Sequence, residues 1–167
     1  VAALGAGRQP VQGHETLVAD VGVVLQHLDA VGDDLTATTA ATLAPLLRGL
    51  GGLGGTVTEI LARIGVGCLT LVDGDCFDES NLNRQLLSST TLLGQSKALA
   101  AKSRVAEINP AVEVQEVEEF FSAGNSHAIL NGTSVVVDCL DTIADRFVLE
   151  DGCRKEGIPL VSAAIGG

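Results

Sequence analysis

The run Gly49-Leu50-Gly51-Gly52-Leu53-Gly54-Gly55 constrains the fold more than any other part of this sequence. Glycines at 49, 51 and 54 spell G-x-G-x-x-G. That turn lets a strand reverse into a helix and brings backbone N–H groups close to a phosphate at the helix N-terminus. Before it lies a short apolar stretch, residues 43–47, weakened as a strand by Pro45. After it, Val57, Ile60, Leu61 and Ile64 fall on one face of a helix that Gly65 and Gly67 stop. Residues 68–72 (CLTLV) then read as a buried strand ending on Asp73. A carboxylate there, 19 residues beyond Gly54, is placed to accept hydrogen bonds from a ribose. In a chain with 20 glycines the loop alone also reads as a packing turn.

The pattern of the glycine run continues downstream. A polar segment over 74–89 leads to a helix over 95–108, with Ala98, Ala101, Val105 and Ile108 on one face and Asn109-Pro110 as its stop. Residues 112–117 read as a strand, 126–130 as a short helix, and 134–139 (SVVVDC) as a buried strand. A helix over 142–156 and a strand over 160–164 complete the series. Strands alternating with helices give βαβ units, hence a parallel sheet with right-handed crossovers. Residues 1–42 carry no motif; 17–28 fit one amphipathic helix and 29–42 a linker. His14 and His27 are isolated and read as surface or core residues.

Composition agrees with that class. The core must come from Val, Leu, Ile, Ala and Gly, since aromatic residues are only 2% and Trp, Tyr and Met are absent. Such residues suit strands buried on both faces. A length of 167 residues supports one domain. The net charge of −11 argues against nucleic-acid binding, which needs Lys and Arg on phosphates. No apolar run reaches the roughly 20 residues of a membrane span, and no signal peptide is legible, so the chain reads as cytoplasmic. Its four cysteines form no C-x-x-C pair, so no zinc site is visible.

Up to Asp73 a dinucleotide-binding domain of an oxidoreductase accounts for every feature. The segment Ser80-Asn81-Leu82-Asn83-Arg84-Gln85 does not fit that reading as well. A basic, amide-rich turn after the ribose-binding strand suits a triphosphate, with Arg84 and Lys97 offsetting its charge and Asn81 donating to it.

Taken together, the glycine run, Leu69-Thr70-Leu71-Val72-Asp73, the 80–85 turn and Gly94-x-x-Lys97-Ala98 resemble the ThiF/MoeB/HesA family. Ile108-Asn109-Pro110, Val137-Asp138-Cys139-Leu140-Asp141, Arg146 and Pro159-Leu160-Val161 extend the resemblance over residues 49–167. It implies a three-layer α/β, Rossmann-like fold with a mainly parallel sheet in the order 3-2-1-4-5. It also implies an ATP-dependent adenylyltransferase acting on the C-terminal carboxylate of a ubiquitin-like sulfur-carrier protein with a Gly-Gly tail, working as a homodimer. Gly49, Gly51, Gly52, Gly54 and Gln85 would line the nucleotide and Asp73 its ribose. Asn81, Arg84 and Lys97 would surround the phosphates, and Asp141 would hold Mg²⁺. Two other readings share this core: a nucleotide-binding module without activity, and an enzyme that adenylates a tRNA base.

The sequence departs from the family in four places. Pro45 and Arg48 interrupt a first strand that is normally apolar. Residues 1–42 do not match the usual lead-in, whose arginine reaches the partner subunit's nucleotide, and neither Arg8 nor Arg48 is assigned to that role. Thr142 follows Asp141 where Asn is usual. The match stops at Gly167, so the adenylating domain, taken as 43–167, is expected to be incomplete at its C-terminus.

Overall fold

The computed structural model describes residues 41–162. The expected helix over 17–28 and the end of the strand over 160–164 lie outside them. Along the described chain run β1 (Pro45–Arg48), α1 (Gly52–Ile64), β2 (Cys68–Val72), α2 (Lys97–Ile108) and β3 (Glu113–Val117), then α3 (Ser126–Leu130), β4 (Val135–Asp138), α4 (Ile143–Glu156) and β5 (Leu160–Ser162). The strands form one sheet in the order β3-β2-β1-β4-β5, and every pairing is parallel. This is the expected order, and the mainly parallel sheet is wholly parallel among the described residues.

Side-chain alternation along the strands builds two cores, one on each face of the sheet. Leu47, Leu69, Leu71, Val135 and Val137 pack with Val57 and Leu61 of α1 and with Ala98, Ala101 and Val105 of α2. Leu46, Val72 and Val136 point the other way, onto Leu130 of α3 and Leu149 and Cys153 of α4. Both faces are therefore dry, and the central strands read as continuous apolar runs. Strand β3 is the exception, with Glu113 and Gln115 exposed, as suits an edge.

Two residues that disfavour a strand in the sequence lie inside the central one. The strand expected over 43–47 runs instead from Pro45 to Arg48. Pro45 is its first residue, a position a proline tolerates because only its own missing N–H is lost from the ladder. Ala44 and Ser134 close the sheet just before it: Ala44 N–H donates to Ser134 Oγ and Ser134 N–H to Ala44 O, both at 3.0 Å. Arg48 keeps full strand register, opposite Val72 of β2 and Asp138 of β4.

Helix α1 starts at the glycine run with Gly51 as N-cap and no side-chain cap, so its first N–H groups stay free for a ligand. Its buried stripe runs through Gly54, Val57, Thr58, Leu61 and Ala62; Ile60 and Ile64 are only half-buried, so the stripe is turned by about one residue from the expected one. Gly65 ends the helix in the left-handed conformation, φ 83°. Helix α2 begins at Lys97, two residues later than expected, where Ser96 Oγ accepts from Leu99 N–H. Asn109 ends it and donates through Nδ2 to Ala62 O of α1 at 3.1 Å. No described helix is long and apolar enough to cross a membrane.

Gly54 shows why the glycine run permits no other residue at that position. A Cβ on it would lie 1.8 Å from Gly49 O, a backbone atom that cannot move aside. Gly54→Ala is expected to cost about 3 kcal/mol of unfolding free energy, measured by urea denaturation. A loss under about 0.5 kcal/mol would show that the close approach is not maintained.

One charged pair ties α1 to α2 and a second, within α1, shares its carboxylate. Arg104 Nε donates to Glu59 Oε1 at 2.7 Å, and Arg63 Nη2 to Oε2 at 3.2 Å. The Arg104 hydrogen bond, more than the opposing burial, holds the Glu59 carboxyl below its ordinary value of 4.5. A pKa depressed by folding adds stability above the unfolded pKa, and that stability is lost as the pH falls through the folded one. Glu59→Gln is expected to lower the melting temperature at pH 7 and to narrow its gap from the wild type below about pH 4.5. A gap that stays constant from pH 7 to 3 would contradict this.

Candidate functional site

The site forms where the strand order reverses, at the carboxyl ends of β1 and β4. The chain leaves β1 through Gly49, whose φ of 91° favours glycine. Its N–H donates to Val72 O at 3.1 Å, while Cys139 N–H donates to Arg48 O at 2.9 Å. A Cβ at Gly49 would stand 3.0 Å from Cys139 O, so the glycine loop and the loop leaving β4 lie back to back.

Asp73 fixes the loop's height above the sheet. It is 4% exposed, and its Oδ2 accepts from Leu50 N–H at 2.7 Å and its Oδ1 from Asp75 N–H at 2.9 Å. A carboxylate has about four lone-pair sites, so two backbone donors leave room for further hydroxyl donors. Asp75 in turn meets α2: Lys97 N–H donates to Asp75 O at 3.0 Å, and Lys97 Nζ lies 3.3 Å from Asp75 Oδ2. The Lys97 side chain is only 8% exposed, which holds a cation at the head of α2.

These elements enclose a cavity of about 660 Å³. That volume suits a nucleotide-sized ligand. Gly49, Gly51 and Gly52 form its floor, Asp73, Asp75 and Lys97 one side, and Arg84 and Gln85 another. Across from them stand Cys139, Leu140 and Asp141 after β4, and Ile143, Asp145 and Arg146 at the head of α4. Phe120, 62% exposed, also lines the cavity; Gly74 makes room for it, since a Cβ there would lie 2.8 Å from its ring.

The loop after β4 is ordered by Asp138, which is 1% exposed. Its Oδ1 accepts from Leu140 N–H at 2.9 Å; its Oδ2 accepts from Ser162 Oγ at 2.6 Å and pairs with Arg146 Nη1 at 3.2 Å. Arg146 also donates to Leu140 O. Asp141, exposed, follows at the cavity wall. The thiols nearby are not poised to react: burial, then the Asp138 charge, pushes both Cys139 and Cys153 up to about 12.

Eight of the sequence-singled positions therefore share one cavity, and two do not. Gly54 lies beneath it against Gly49. Asn81 is buried and serves the turn that carries its neighbours. Its Oδ1 accepts from Asp78 N–H at 3.1 Å, and its carbonyl accepts from Arg84 and Gln85 N–H. Arg84 is exposed and donates through Nη1 to Ser80 O at 2.7 Å and Asn83 Oδ1 at 3.1 Å. Sequence reasoning passed over Arg48, Asp75, Phe120, Ile143 and Asp145 as site residues. Only Arg48, a charge inside an apolar strand, carried a visible signal.

Two buried side-chain atoms in the described residues have no hydrogen-bond partner, Arg48 Nε and Gln85 Oε1. Both belong to residues lining this cavity. Such orphans are rare in folded proteins and each leaves a desolvation cost that a ligand can relieve. An anionic ligand with its own hydrogen-bond donors fits them. A nucleoside phosphate has both.

The family model for the ThiF family matches residues 25–167. The chain belongs to that family. It is 44% identical over 107 residues to the SAMP-activating enzyme E1 of Haloferax volcanii, covering 64% of this chain and 40% of that protein. Identity to the molybdopterin-synthase adenylyltransferase of Salmonella typhimurium is 40% over 107 residues, 64% of this chain and 43% of the relative. The tRNA threonylcarbamoyladenosine dehydratase of Bacillus subtilis is 40% identical over 106 residues, covering 63% and 42%. This ThiF-family chain thus spans about two-fifths of the length of those relatives. Among solved structures, the E. coli dehydratase TcdA in complex with ATP superposes with a TM-score of 0.73 at 29% identity. That match covers 87% of this chain and 61% of the other.

Asp73→Ala strands the Leu50 and Asp75 N–H groups of this ThiF-family site. The variant is expected to lose about 2 kcal/mol of stability. Calorimetry should show the loss without ligand; an unchanged melting temperature would mean the carboxylate does not hold the loop.

Proposed function

We propose that this chain adenylates the C-terminal carboxylate of a ubiquitin-like sulfur-carrier protein with ATP. The observation that carries the reading is the gathering of Arg48, Arg84 and Lys97 and the uncapped start of α1 around one cavity that leaves buried polar atoms unpaired. The relatives named as a SAMP-activating enzyme and a molybdopterin-synthase adenylyltransferase support the acceptor class. The relative solved with ATP supports the nucleotide.

In this reading a carboxylate oxygen of the carrier attacks the α-phosphorus of ATP. The α–β phosphoanhydride bond breaks, pyrophosphate leaves, and an acyl-adenylate remains. Both reactants are anions, so the chain's work is to bring them together and offset their repulsion. Asp73 takes ribose hydroxyls on its remaining lone pairs, while the N–H groups of the glycine loop and α1 face the phosphates. Lys97 is held close by its buried stem, and Arg84 swings from its own turn to the phosphate chain. Asn81 acts indirectly, by shaping that turn.

Asp141 would hold Mg²⁺. The ion takes one or two carboxylates and completes its shell with phosphate oxygens and water. Asp141 and Asp145 both line the cavity and would supply such carboxylates. When bound, the ion would offset charge on the phosphates. The enzyme is proposed to work as a homodimer on a carrier ending in Gly-Gly. No covalent protein nucleophile is needed, in keeping with the raised Cys139 thiol.

ATP–pyrophosphate exchange with a Gly-Gly-ended carrier tests this. Arg84→Ala and Asp141→Ala are each expected to lower the exchange rate by roughly 100-fold or more. Exchange unchanged in both variants would refute the assignment. Carrier-independent exchange that responds to tRNA would favour the dehydratase-like acceptor instead.

A further inference from the structure

Arg48 is the one charged residue in the central strand. It is 5% exposed, its Nε is buried with no acceptor, and its guanidinium makes no hydrogen bond or ion pair to any described residue. The nearest acid in register, Asp138, is already engaged by Leu140 N–H, Ser162 Oγ and Arg146. A cation with no counter-charge and little contact with water is a costly arrangement for a fold. Since residue 48 lines the cavity, the missing counter-charge has a place to come from.

We infer that Arg48 is an anion-binding residue of this site, donating from within β1 to an oxyanion of the reacting pair. The inference rests on reading the cavity as a nucleotide site. It adds a cation from the strand itself to those from the 80–85 turn and the head of α2. A guanidinium suits the place: its planar fork can hold two oxygens of one phosphate or carboxylate, and it stays charged when buried. The position also explains how the strand tolerates it. Arg48 carries the strand register one residue past Leu47, so the backbone stays paired on both sides while the side chain reaches the cavity.

The test is Arg48→Leu in the full chain, read by calorimetric melting and by titration with ATP, AMP, adenosine and inorganic tripolyphosphate at fixed salt. Without ligand the variant is expected to melt at or above the wild-type temperature, since an unpaired buried charge is gone. Binding of ATP, AMP and tripolyphosphate is expected to weaken roughly 10- to 100-fold, with adenosine within twofold. If nucleotide affinity holds but the carrier's KM in exchange rises about tenfold at constant kcat, the oxyanion is the acceptor carboxylate. All ligands and the carrier KM within twofold would overturn the inference while leaving the adenylating function intact. So would a variant that melts far below wild type yet keeps its ligand affinities, because Arg48 would then serve the fold. A wild type that binds tripolyphosphate through Arg48 but not ATP would refute the function and uphold the anion site.

Discussion

The hydrogen bond from Leu50 N–H to the Asp73 carboxylate, 2.7 Å long and buried, is the contact on which the site is assembled. It joins the turn after β1 to the end of β2, two segments that the sheet alone would leave free to splay. The other oxygen of Asp73 organises the start of the next segment through Asp75 N–H. Asp75 then receives the head of α2 and its buried lysine. One carboxylate thus sets the spacing between the glycine loop, the turn after β2 and a cation brought from much later in the chain. Removing it would loosen three walls of the cavity at once.

Close backbone packing completes what that carboxylate begins. Gly54 lets α1 sit directly on Gly49 O, and Gly49 lets the two loops meet at Cys139. Both contacts require the absence of a side chain, so the loop's shape is fixed by van der Waals radii as much as by hydrogen bonds. The charged groups are placed within this frame and differ in how they are balanced. Arg146 has Asp138, and Lys97 has the exposed Asp75. Arg48 has no such partner among the described residues, which makes the cavity electrostatically unfinished without a ligand.

The parallel sheet is legible in the sequence because apolar runs and glycine stops recur at βαβ spacing, while the strand order follows from the family resemblance and from no local pattern. Boundaries are less legible. Pro45 argued against a strand, yet at the first position its missing N–H costs little, and propensity gave way to sheet position. The buried face of α1 is turned by one residue from the apolar periodicity because the sheet buries Gly54 and Thr58, neither of them a strongly apolar side chain. The same limit applied to the site. Asn81 reads as a phosphate donor from its place beside Arg84, but its side chain caps the turn, a local bond that pattern reading does not separate from a ligand contact. Phe120 comes to the cavity from a loop and Asp145 from the first turn of α4, and no local spacing signals either.

The buried Asp138 has a consequence for the residues after it. By engaging Leu140 N–H, Ser162 Oγ and Arg146, it commits a loop to one shape during folding. Ordering a residue costs about 1–2 kcal/mol of backbone entropy, and here that cost is met before any ligand arrives. Asp141 therefore stands on a stretch of chain that need not freeze again on binding. In the role proposed for Asp141, binding free energy would then go into the contact itself rather than into organising the loop.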